Sequence, residues 1–148
     1  MEKSNSKREG VYNTLFWVAQ SVLAFMFFVA GSTKASQPMQ ELGSIIPWTG
    51  DVPIALVRFI GVSEMLAALG LVFPSLLRVK PLVTPLAASC LICIMIMAFV
   101  FHLIRAEYDA LLINSILGIL SGFVAWGRYV KAPIQDRRTT VISVLSQG

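Results

Sequence analysis

Charge is scarce in this sequence. Charged side chains make up 14% of the 148 residues, and none falls between Glu9 and Lys34 or between Lys80 and Arg105. Each gap is longer than the roughly 20 apolar residues that cross a bilayer. With 56% hydrophobic residues and a mean hydropathy of +0.74, the chain is too apolar for a soluble domain of this size. A single histidine and two cysteines argue against a metal centre. No internal repeat is visible, which disfavours the repeat-built transporters. Basic and aromatic residues do not interleave as they do in RNA binders, so nucleic acid is not an expected partner.

What remains reads as an all-α, four-helix transmembrane bundle over 12–128, with helices at about 12–33, 53–73, 82–104 and 110–127. The second begins after Pro53 and is expected to stop at Pro74. The fourth is closed by Trp126, Arg128 and Tyr129, which read as interfacial anchors, as do Trp17 and Trp48. A polar N-terminal tail (1–11) and a basic C-terminal tail (129–148) complete the chain. Lys3, Lys7 and Arg8 before an apolar run imitate a signal peptide, but the run is too long for that and Val29-Ala30-Gly31 is a poor cleavage site, so it reads as a retained first helix.

Lysine and arginine set the expected orientation. Lys3, Lys7, Arg8, Arg78, Lys80, Arg128, Lys131, Arg137 and Arg138 fall on one side; Lys34, Arg58 and Arg105 fall on the other. Both termini are therefore expected in the cytoplasm, in a membrane of the bacterial inner type. The net charge of +4 suits anionic lipid beside the spans.

Against this apolar background a few polar residues stand out. Lys34 ends the first helix, Arg58 lies about one turn into the second, and Glu64 lies near its middle. His102 is in the last turn of the third helix and Asn114 is about one turn into the fourth. All belong to the outer half of one bundle, and charges inside hydrocarbon must face the interior or water. Arg58 and Glu64, six apart, are separated by about 120° around a helix and need not pair. Glu64 is expected to meet Lys34, His102 or Asn114, leaving Arg58 free for an anion or headgroup. Stripes containing Gly61, Glu64 and Ala68, then Ala88, Leu91, Met95, Ala98 and His102, then Asn114, Gly118, Ser121 and Ala125 are expected to face inward, with Gly118-x-x-x-Gly122 as a close-packing pattern.

Gly31-x-x-Lys34, Arg58-x-x-Gly61-x-x-Glu64 leading to Gly70-Leu71 and Pro74, His102-x-x-Arg105-x-Glu107 and Asn114 together resemble the DoxX-like family of small four-helix membrane proteins, over roughly 14–128. The resemblance implies one architecture and several roles. Relatives are associated with thiosulfate:quinone oxidoreduction as small membrane subunits, with complexes linking thiol metabolism to oxidative-stress defence, and with receptor assembly.

Two functional expectations follow. In the first, Lys34, Arg58, Glu64, His102 and Asn114 form an outward polar pocket for a small oxyanion or a quinone head, with Arg105 and Glu107 at its rim. Glu64 and His102 then handle protons in an accessory subunit of an oxidoreductase complex, beside a partner redox subunit or a second copy. No cofactor other than a quinone is implied. In the second, the charges only set helix packing and the chain is a non-enzymatic assembly factor acting through lipid-facing surfaces such as Phe25–Phe28. Cys90 and Cys93, in a C-x-x-C spacing, read as core packing rather than redox groups. Gln20 reads as an interhelical hydrogen bonder, and Arg105, Glu107 and Asp109 as a solvated loop group.

Overall fold

The computed structural model describes residues 2–137. Four long helices, α1 (Glu2–Ser36), α3 (Ile54–Leu77), α4 (Val83–Ile104) and α5 (Tyr108–Trp126), pack as a bundle. The connection between α1 and α3 holds a short helix, α2 (Met39–Ile45), and a 3₁₀ turn (Pro47–Asp51). A π-helical turn (Gly127–Lys131) extends α5. The spans, 22 to 27 residues long, are apolar enough to cross a membrane. Their outward faces carry Phe25, Phe59, Leu66 and Ile119, each more than 60% exposed, which is the surface that lipid covers. The end with the 37–53 and 105–107 connections is termed the loop end. The opposite end, with the 78–82 connection and the exit from α5, is the terminal end.

Helix limits differ from hydropathy limits in two places. α1 starts at Glu2, inside the stretch read as a polar tail, because Glu, Lys and Arg are good helix formers and the span supplies the nucleus. α3 runs through Pro74 to Leu77 rather than stopping there. Pro74 withholds a donor from Gly70 O, and Gln20 of α1 donates to the adjacent Leu71 O at 2.6 Å. The helix instead ends at Arg78, in the left-handed region with φ 54°.

Leu23, Phe27, Ala67, Leu71, Ala88, Leu91, Met95 and Val124 form the core. The tightest seam joins α1 to α3. A Cβ on Gly31 would lie 2.6 Å from Gly61 O, and one on Gly61 would lie 2.7 Å from Gly31 O. Only glycine allows the two backbones to touch this way. α5 is packed unevenly: Ser121, Val124 and Ala125 are buried, but no residue of 108–120 is. Gly118 faces Met95 Cβ at 3.4 Å, whereas nothing lies within 4 Å of a Cβ on Gly122, so the expected small-residue pattern has one working member. Cys90 and Cys93 are exposed on α4 and do not pack the core. The tail from Arg138 onward lies outside the described residues.

Candidate functional site

The five polar residues singled out in the sequence fall into separate groups. Lys34 Nζ binds both carboxylate oxygens of Glu64, at 2.9 and 2.7 Å, with both residues buried. The antiparallel crossing at Gly31 and Gly61 explains this. Each charged residue is three positions beyond its glycine, and helical side chains lean toward their own N-terminus. Lys34 therefore leans toward the middle of the bundle and Glu64 leans toward the loop end, so they meet.

Arg58 is not left free. Its Nη1 donates to Lys34 O and its Nη2 to Gln37 O, both at 2.6 Å. Continuing α1 would require a donor to Lys34 O from residue 38, which is Pro38 and has no N–H. Arg58 supplies that donor from the neighbouring helix. Asn114, half-buried on the loosely packed part of α5, has an Nδ2 with no partner among the described residues.

His102 does not reach Glu64. Its Nδ1 is 2.5 Å from Glu107 Oε2, while Glu107 Oε1 accepts from Arg105 Nε at 2.7 Å and Arg105 Nη2 donates to Asp51 Oδ2 at 2.5 Å. This chain links α4, the α4–α5 connection and the 3₁₀ turn. Ala106, with φ 57°, folds the connection back so that Glu107 N donates to His102 O at 3.0 Å. The bond from Arg105, and then the one from His102, hold the Glu107 carboxyl below its ordinary value. Arg105 is shifted upward by its bonds to Glu107 and Asp51.

An open cleft of about 560 Å³ lies at this end. Its lining includes His102, Glu107, Trp48, Tyr108 and Asp109. The Trp48 ring stands edge-on to His102, with centroids 6.2 Å apart, and to Phe101 at 5.7 Å. A carboxylate at Nδ1 fixes the imidazole so that Nε2 is the nitrogen left for an incoming group. The expected pocket is thus divided: His102 and the rim residue Glu107 line the cleft, whereas Lys34, Arg58, Glu64, Asn114 and the other expected rim residue, Arg105, are absent from its lining. Trp48 and Asp51 were missed as site residues. Their sequence signal is slight, an aromatic and an acid in the loop that faces Arg105.

The fold and its two polar groups define a multi-pass helical membrane protein with a cleft at one mouth of a four-span bundle. A family model, the DoxX-like family, matches residues 18–124, and the chain belongs to that family. No curated protein and no solved structure matches it.

Proposed function

We propose that this protein is an accessory, quinone-facing subunit of a membrane redox system, and that the cleft at the loop end receives the quinone head. The observation that carries this reading is the His102–Glu107 pair opening on the cleft beside Trp48. Nε2 takes the proton of one quinol hydroxyl, the second proton leaves to water at the open mouth of the cleft, Glu107 stabilises the imidazolium that forms, and the Trp48 ring borders the head. The isoprenoid tail lies along the loosely packed half of α5. A partner redox subunit takes the electrons. A small oxyanion fits this cleft less well, because Glu107 and Asp109 line it and Arg105 is already held by two carboxylates. Both termini are cytoplasmic, following the distribution of lysine and arginine, and the short connections between spans suit a membrane of the bacterial inner type.

The test is thermal stability in detergent against short-chain quinones, quinols and thiosulfate. Quinones or quinols are expected to raise the melting temperature in proportion to their concentration, with the effect lost in His102→Leu and no effect from thiosulfate. Absence of any quinone response would overturn the reading.

A second reading, a non-enzymatic assembly factor, is favoured by a different observation. Lys34 engages both oxygens of Glu64, so this pair serves helix packing as it stands. Proton transfer at Glu64 requires Lys34 to let go. An assembly factor would keep its activity in a Lys34→Met/Glu64→Leu double variant that folds.

A further inference from the structure

Arg128 lies at the terminal end, in the π turn, and is 3% exposed. A basic residue at a membrane interface ordinarily buries its stem and keeps its head in water or among headgroups. Here the head itself is enclosed. Nε donates to Gln20 Oε1 at 2.6 Å, and Nη1 donates to Asn13 Oδ1 at 2.8 Å and Ala132 O at 3.2 Å. The rings of Phe16 and Trp17 lie 5.8 and 5.3 Å from Cζ. Gly127 lets Phe16 approach, since a Cβ there would fall 2.1 Å from the ring. Its Nη2 is buried with no hydrogen-bond partner among the described residues.

The arrangement solvates the cation with amides and aromatic faces and leaves one nitrogen, with two N–H groups, unused. Such an edge suits a phosphate oxygen. The position suits it too. Trp126 and Tyr129 are exposed on either side, as interfacial anchors are, and Lys131 lies over Trp126 at 5.4 Å, where it can supply a second positive charge. We propose that Arg128 is the centre of a phosphate-binding site at the terminal end of the bundle, with Nη2 receiving the phosphate oxygen of an anionic lipid headgroup or of free phosphate. Nη2 is enclosed as the chain lies, so entry displaces the chain at Ala132, whose carbonyl makes the longest of the three bonds. Asn13, which is exposed, forms the other edge of the entrance.

The experiment measures melting temperature in neutral detergent at constant ionic strength, with added phosphatidylglycerol, phosphatidylcholine or inorganic phosphate. Phosphatidylglycerol is expected to raise it by about 5–10 °C at a hundredfold excess over Kd, and phosphatidylcholine is not. The rise should vanish in Arg128→Gln and persist in Arg78→Gln. An equal rise with inorganic phosphate would identify free phosphate as the source. Asn13→Leu frees a second donor on Nη1 and is expected to steepen the lipid response, which keeps the test open if Arg128→Gln does not fold. A wild-type response to neither anion, or a lipid response unchanged in both Arg128→Gln and Asn13→Leu, would overturn the proposal and leave the guanidinium as a packing element.

Discussion

The bundle buries a cation at each end and treats the two differently. Near the loop end, Lys34 is neutralised by Glu64 at 2.7 Å. At the terminal end, Arg128 is held by the Gln20 and Asn13 amides and by two aromatic rings. A buried ion pair is locally complete: it satisfies itself and fixes the contact of α1 with α3. A buried cation with an unused donor edge retains an affinity for an anion. Buried charge is therefore not one signal, and the partner decides whether it fastens or binds.

The sharpest way to break this contrast is to remove one member of the pair. Glu64→Leu leaves Lys34 buried and unpaired and is expected to cost about 3–5 kcal/mol. Lys34→Met/Glu64→Leu should recover most of that loss, because an apolar pair avoids the desolvation penalty. Reversible unfolding in mixed micelles measures both, and a double variant as damaged as the single would show that the pair does more than fasten.

Gly61→Ala forces the α1 and α3 backbones apart beneath the same pair and is expected to cost on the order of 3 kcal/mol by the same measurement. Arg128→Met leaves three carbonyl oxygens, of Gln20, Asn13 and Ala132, without this donor but removes the charge itself. Its expected cost is smaller, about 1–3 kcal/mol. If it exceeded that of Glu64→Leu, the contrast between the two ends would be reversed.

Ala106→Gly relieves a left-handed alanine beside the cleft and is expected to stabilise by about 1 kcal/mol. The smallest effect concerns pH. Glu107 is depressed in the folded protein, so its contribution is present above the ordinary value of 4.5 and fades as pH falls through the folded value. Melting temperature should decline more steeply below pH 4.5 in the wild type than in Glu107→Gln.

The Lys34–Glu64 contact was partly legible beforehand: helical period put Glu64 on an inward stripe with Gly61, and Lys34 was one of three expected partners, beside His102 and Asn114. Gln20 was legible for a similar reason, as an amide on an apolar face. The tie between Arg58 and α1 was harder to see, since it depends on Pro38 withholding a donor at a helix end that hydropathy does not locate. The His102–Glu107 pair depends on the turn at Ala106, and no residue-type signal marks a left-handed alanine. Arg128 resembled an ordinary anchor because its sequence neighbours, Trp126 and Tyr129, are anchors.

By itself the sequence determined that four helices cross a membrane, where they run apart from the start of the first, and which polar residues hydrocarbon would force inward. Those properties follow from local composition and the cost of charge in lipid. Only the tertiary structure decided which polar residues meet. Partners 30 positions apart, like Lys34 and Glu64, or 108 apart, like Gln20 and Arg128, are chosen by helix crossing and turn geometry. These are properties of several elements together, and no single stretch of chain encodes them.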